Sequence, residues 1–331
     1  MKVLFVTTKS ISYLRNVQEI NSLKKSSNEV FVIGSNSSIY IIRIIYVWLR
    51  LLFISFKPFD LFFAGFLPQL FLPLFYRKIR RAGCKVYEDF FISLYDTLCY
   101  DRCLVSPDNM IGRMLHEWDS LTLKLSDKII CDTQAQGDFF IEELGADPKK
   151  IEVVYLEADR SIFNPELYNK NELIKSVVPN SILSKDDCVV LYFGSVLPLQ
   201  GVDIVLCAML ELVKKGYYCI FIGPLSTKQR SLITKKDEHF LFVPWVSTKR
   251  LAEMISIADL CLAGHFNANI LKASRTIPGK AYIYEAMGKP MILGDNTANR
   301  ERFKESQNNI YIEMGSTQAL IEGVVKWKKD R

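Results

Sequence analysis

The chain has 331 residues, 49% of them hydrophobic and 24% charged, with a formal net charge of +6. Such a length suits two domains better than one core, and the composition excludes a disordered or fibrous chain. The charge is lopsided: residues 1–100 hold thirteen Lys or Arg against six Asp or Glu, a surplus of +7 that leaves −1 for the remainder. A basic N-terminal third points to an anionic partner there, or to no more than a solvated basic face.

The chain opens at once on a strand-like run, Lys2 to Thr7, with no charged, apolar and small-residue series before it. A secretory signal is therefore not expected, and the protein reads as cytoplasmic. A helical pattern over Leu14–Lys25 and a strand over Glu29–Ile33 come next. The segment from Ile39 to Tyr76 is strongly apolar, but Arg43, Arg50, Lys57 and Asp60 interrupt it, and its longest uncharged run contains Pro68 and Pro73. It falls short of the ~20 apolar residues a membrane span needs. Further strands are predicted at Asp60–Ala64, Lys85–Asp89, Lys128–Asp132 and Glu152–Leu156, with helices over Gly112–Leu125 and Gln134–Leu144. After a polar stretch without clear period, Asp159–Asp187, the strands resume at Cys188–Phe193, Tyr217–Ile222, His239–Val243, Asp259–Ala263, Pro290–Leu293 and Asn309–Ile312. A last helix covers about Thr317–Lys329.

Apolar strands alternating with helices imply parallel sheets covered on both faces. The expected class is α/β, with two doubly wound Rossmann-like domains facing a cleft. The expected divisions are 1–160, a linker over 161–186, a second domain over 187–315, and a C-terminal helix over 316–331 able to cross back to the first domain. The eight cysteines lie mostly in apolar runs without paired zinc spacing, and read as buried, reduced thiols.

The strongest candidate for chemistry runs from Arg275 to Asn296. Pro278 suits a first helical position, and the free amides of that first turn favour an anion. Lys280 adds a cation there, Arg275 a second just upstream, and Glu285 lies about 7 Å further along the axis at ~1.5 Å per residue. That separation fits a diphosphate at one end and a ribose at the other; an exposed Lys and Glu on an ordinary amphipathic helix would read the same way. A second element is the strand ending in Gly194-Ser195, followed by a short loop to Gly201. Gly194 lets backbone approach a ligand and Ser195 can donate to a phosphate oxygen. The spacing is not that of a dinucleotide fingerprint or a P-loop. No GxSxG, HExxH or DxD motif occurs, and three histidines make a multi-histidine metal site improbable. Without a metal, cations and a helix terminus must stabilise a departing diphosphate.

The stretch Ile277-Pro-Gly-Lys-Ala-Tyr-Ile-Tyr-Glu-Ala-Met-Gly-Lys-Pro290 resembles the donor-binding helix of glycosyltransferase family 4 (glycosyl transferases group 1). Val243–Val246, Ile257–Gly264, the Gly194–Gly201 loop, Asp89–Thr97 and Ser126–Thr133 are similar to other parts of that family. The resemblance implies a GT-B fold, an N-terminal acceptor domain and a C-terminal donor domain. It implies a retaining, metal-independent hexosyltransferase that uses a nucleotide diphosphate sugar and no separate cofactor. Donor contacts then fall to Gly194, Ser195, Gly201, Gly264, Arg275, Lys280 and Glu285, with Arg275 and Lys280 also facing the reaction. The sequence departs from the family pattern at Ile277, where a first glutamate is common, and at Ser195 and Gln200, where Arg and Lys are common. At the end of the fourth strand Asp89 stands where a histidine is often found, and is the expected catalytic substitute.

Arg43, Arg50 and Lys57 recur every seven residues, so on one helix they form a narrow stripe amid Trp48 and many aliphatics. With Arg77, Arg80 and Arg81 they suggest peripheral attachment to an anionic membrane, at roughly 1 kcal/mol per charge. A core helix with a basic solvent edge remains the alternative. The acceptor implied is a lipid-linked glycan in surface-polysaccharide assembly. Two other readings stay open, a GT-B sugar-nucleotide epimerase and a non-enzymatic two-lobed binding protein. Nucleic acid is not an expected partner, because the basic residues are interleaved with aliphatics and lack a recognised module.

Overall fold

The computed structural model describes residues 1–26, 28–177, 187–233 and 238–331. It divides into two units, Met1–Glu157 and Ala158–Arg331. Residues 178–186 of the expected linker lie outside the described residues.

In the first unit, strands β1 (Lys2–Val6), β2 (Glu29–Ile33), β3 (Leu61–Ala64), β4 (Lys85–Asp89), β5 (Lys128–Cys131) and β6 (Ile151–Val153) form one sheet in the order β2-β1-β3-β4-β5-β6. All its pairs are parallel. Val3, Leu4, Phe5 and Val6 of the central β1 are all buried, so both faces are covered and the strand reads as one apolar run. Helices α1 (Leu14–Lys25), α2 (Tyr40–Phe53), α3 (Leu72–Arg81), α4 (Met110–Leu125) and α5 (Gln134–Glu142) connect the strands. The side chain of Asn109 caps α4 by accepting from the Gly112 amide at 2.7 Å, which starts that helix two residues before the predicted position.

The predicted stripe of three cations on one helix needs correction. Helix α2 stops at Phe53, and Lys57 lies beyond it. Lys78 Nζ donates to the carbonyls of Leu51 (3.3 Å) and Leu52 (2.8 Å), meeting two of the helix's free C-terminal acceptors. Phe56 and Phe59 then turn into the core.

In the second unit, β7 (Val189–Phe193), β8 (Tyr218–Ile222), β9 (Phe240–Val243), β10 (Leu260–Gly264), β11 (Met291–Gly294) and β12 (Asn309–Ile312) form a second sheet, ordered β12-β11-β10-β7-β8-β9. Its pairs are again parallel. Its helices are α6 (Lys170–Val177), α7 (Val202–Lys214), α8 (Thr227–Arg230), α9 (Thr248–Ile257), α10 (Lys272–Arg275), α11 (Gly279–Ala286), α12 (Thr297–Arg302) and α13 (Thr317–Lys329). Helix α6 falls within the expected linker, where no period was legible. Tertiary contacts hold it: Lys170 pairs with Asp259, and Arg250 donates to the Ser176 carbonyl at 2.7 Å. The last helix, α13, packs on α7 and β12 of its own unit, where the buried stripe Leu320, Ile321, Val324 and Trp327 joins the core. Six of the eight cysteines are buried, while Cys103 and Cys207 are exposed, contrary to the uniform burial expected.

Candidate functional site

In the second sheet the chain leaves β7 towards β8 on one side and returns to β10 on the other. The loops after β7 and β10 therefore diverge, and ligands of doubly wound sheets bind at the carboxyl ends of such a strand pair. Gly194 and Ser195 follow β7, and Gly264 and His265 close β10. Lys280, in the first turn of α11, reaches the same place. Its Nζ donates to Gln200 Oε1 at 2.6 Å and lies 3.9 Å from the centre of the Tyr192 ring. A Cβ at Gly194 would come within 2.8 Å of that ammonium, so a larger residue there would displace the lysine tip.

Lys280 is buried, and the loss of hydration pulls its pKa well below the ordinary lysine value. Among the described residues no carboxylate bonds to it. The carbonyl oxygen of Gln200 and the π-face of Tyr192 are weak compensation for a desolvated charge. His265 adds no second charge, because burial first, then Lys280 and Lys272, depress its pKa to about 3. Gly201 takes the left-handed conformation (φ 65°) at the start of α7, with the Phe266 and Asn267 backbone within 3.0 Å of any added Cβ. That position needs glycine on two counts.

The predicted residues divide accordingly. Lys280, Gly194, Gly201 and Gly264 cluster around Gln200, which the sequence marked only as a departure from the family pattern; Ser195 is exposed at the loop tip; Arg275 ends α10 half-buried. Pro278 is the residue before the helix, not its first member. Gly288, at φ 62°, ends α11 as expected. Glu285 sits on the exposed side of α11 and is ion-paired with Arg302 at 2.7 Å. At ~100° per residue it lies about 140° round the helix from Lys280, so the two side chains diverge. Tyr192, His265, buried Lys272 and Arg302 were not anticipated, although His265 directly follows a glycine already singled out.

Asp89 needs correction as a catalytic residue. It is fully buried at the end of β4, where the Arg15 guanidinium grips both its oxygens (3.1 and 3.2 Å). Arg15 also lies 3.5 Å from Glu19, and donates to the Val154 carbonyl at 2.6 Å. Burial, then the neighbouring Asp89, raises the Glu19 pKa well above the usual carboxylate range. This cluster ties α1 to the sheet.

Of the basic residues assigned to an anionic surface, Arg80 is held bidentately by Asp127 (2.7 and 2.8 Å) and is not available for that role. Arg43 is half-buried over the Tyr40 ring and donates to the Ser37 carbonyl at 3.1 Å. Arg50, Lys57, Arg77 and Arg81 are exposed. Trp48, also exposed, anchors its indole N–H on the Leu70 carbonyl at 2.8 Å.

Two parallel doubly wound units in succession define the GT-B architecture, and solved structures share it along the whole chain. A glycosyltransferase from Rickettsia africae superposes with a TM-score of 0.65 at 15% identity, covering 99% of this chain and 88% of its own. The Anabaena protein HepE, crystallised with UDP, gives 0.64 at 16% identity, with 100% and 90% covered. At these identities the likeness is one of fold. Family evidence lies in the second unit: residues 187–330 match the family described as Glycosyl transferases group 1. A stretch of 105 residues is 31% identical to D-inositol 3-phosphate glycosyltransferase of Segniliparus rotundus, covering 30% of this chain and 22% of that protein. Residues 187–330 are thus similar to a Glycosyl transferases group 1 domain, in a chain that shares the GT-B fold.

Proposed function

We propose that the protein is a retaining glycosyltransferase of family 4 that moves a hexosyl group from a nucleotide diphosphate sugar to a hydroxyl. The acceptor in this reading is a lipid-linked glycan of surface-polysaccharide assembly, met by the protein while peripherally bound at the cytoplasmic face of a membrane. The observation that carries the donor half is Lys280, a buried ammonium without a carboxylate partner, beside Gly194 at the switch point of the second sheet. A diphosphate there would accept charge-assisted hydrogen bonds from Lys280 and from the free amides opening α11. Ser195 and Arg275 flank that position, and Glu285 is the group left for the ribose hydroxyls once it exchanges Arg302 for them.

In the transfer the bond between the sugar's anomeric carbon and the diphosphate breaks, a bond to the acceptor oxygen forms, and the acceptor proton is released. The negative charge that grows on the departing diphosphate is met by Lys280 and Arg275, so the reaction requires neither a metal nor a cofactor. Retention of configuration is carried by the family resemblance. The matching family domain and the fold shared with HepE, crystallised with UDP, support this reading. A thermal-shift screen with UDP, GDP, ADP and their sugars tests it. At least one should raise the melting temperature of the wild type but not of Lys280→Ala; no shift with any of them would refute it.

A further inference from the structure

Helix α2 has two faces, and only one has a partner in the structure. Val47 and Leu51 are its buried residues. At ~100° per residue the opposite arc, some 160° wide, is formed by Trp48, Ile41, Leu52, Ile45, Leu49, Ile42, Phe53 and Tyr46. All eight are exposed, from 40% for Tyr46 to 86% for Phe53. Arg50 borders this arc on one side. Trp48 bonds the Leu70 carbonyl and Lys78 bonds the end of α2, so α3 lies alongside, with Leu74 exposed at 56% between those anchors. The exposed Arg77 and Arg81 continue the Leu74 row at three- and seven-residue steps along α3. An apolar surface of this extent on a folded protein marks an interaction site.

Charge selects the occupant. Residues 30–87 carry eight Lys or Arg and a single Asp or Glu, and that acid, Asp60, accepts a hydrogen bond from the Lys2 amide at 2.8 Å. A second copy of the same surface would set cation against cation. An anionic bilayer supplies both missing halves, hydrocarbon for the apolar arc and phosphate for the basic rim. With 14 residues, α2 is too short to cross, and no helix among the described residues is long and apolar enough to do so. We infer that the outward face of α2, with Leu74, enters the headgroup–acyl boundary of an anionic membrane, lying parallel to it, while Arg50, Lys57, Arg77 and Arg81 hold lipid phosphates. The inference specifies the surface behind the peripheral placement in the proposed function, and depends on that part of it alone.

Flotation with vesicles of phosphatidylcholine, with and without 30% phosphatidylglycerol, tests it on the full chain, with nucleoside diphosphate binding measured in parallel. The wild type should float with the anionic vesicles. Leu49→Ser with Phe53→Ser, at exposed sites where folding is spared, should weaken partitioning at least tenfold. Arg77→Gln with Arg81→Gln should weaken it several-fold at low salt and remove much of its salt dependence. Nucleotide affinity should be unchanged throughout, so a failure here is distinct from a failure of the donor reading. Brominated acyl chains should quench the emission lost in Trp48→Phe. The inference is overturned if the wild type stays unbound to anionic vesicles at low salt. It is equally overturned if Leu49→Ser/Phe53→Ser binds as well as wild type, or if that variant instead turns a stable dimer into monomers.

Discussion

Each unit buries a cation near the carboxyl edge of its sheet, and the two are treated in opposite ways. Arg15 in the first unit meets Asp89 through a two-pronged ion pair, with Glu19 and a backbone carbonyl completing its surroundings. Lys280 in the second unit meets an amide oxygen and an aromatic face. A satisfied buried charge stabilises the fold only weakly, but its removal strands its partners. A buried charge without an opposite charge is a standing cost, which a protein keeps where a ligand supplies what is missing. The contrast places Arg15 in the fabric of its unit and is the basis on which the proposed function gives Lys280 to a ligand.

The largest expected effect breaks the first half of that comparison. Arg15→Met should destabilise the first unit by about 3–5 kcal/mol, because Asp89 and Glu19 would remain buried without a cation; denaturant unfolding reads this, and donor-nucleotide affinity should not follow. Asp89→Asn should likewise act on stability, so a variant of normal stability with abolished turnover would restore Asp89 to catalysis. Second in size, Lys280→Met should weaken nucleoside diphosphate binding by about 2–3 kcal/mol, the worth of hydrogen bonds to a charged group. That is roughly 50-fold at 1.4 kcal/mol per tenfold. Its stability should be unchanged or higher at pH 7. The unfolded chain holds the Lys280 proton up to pH 10.5, whereas the folded chain gives it up earlier, so stability contributed through this group rises with pH.

A third test uses His265, with a folded pKa of about 3 against 6.5 unfolded. Between those values the unfolded chain binds a proton that the folded chain does not, so stability falls as pH drops. The loss through this group should reach about 2 kcal/mol by pH 5, and His265→Gln should flatten that part of the curve. Smallest is the exposed Glu285–Arg302 pair. Arg302→Ala should cost less than about 1 kcal/mol of stability, whereas Glu285→Ala should lower nucleotide affinity measurably by calorimetry. Equal nucleotide affinity in Glu285→Ala and wild type would remove the ribose role.

The twelve strands among the described residues were legible from their apolar and β-branched runs, most plainly where both faces are buried and the strand must be apolar along its length, as Val3–Val6 and Val189–Tyr192 are. That Gly194, Gly201, Gly264 and Lys280 come together was legible because they sit at strand ends and helix starts, where backbone geometry constrains residue type. What escaped was held by distant contacts. Arg15 and Asp89 are 74 positions apart, so Asp89 read as an available acid. Helix α6 is short, polar and held by the Lys170–Asp259 pair. The end of α2 depends on Lys78 reaching its carbonyls from α3, which left Lys57 on a helix in the sequence and off it in the structure. Spacing put Lys280 and Glu285 on one helix, but not on one face.

Calorimetry of UDP, GDP and ADP with the wild type and Lys280→Met tests the central claim directly. The account predicts that at least one of the three binds the wild type, and that Lys280→Met loses most of that affinity. Equal affinity in the two proteins would contradict it, as would the absence of binding to the wild type by all three.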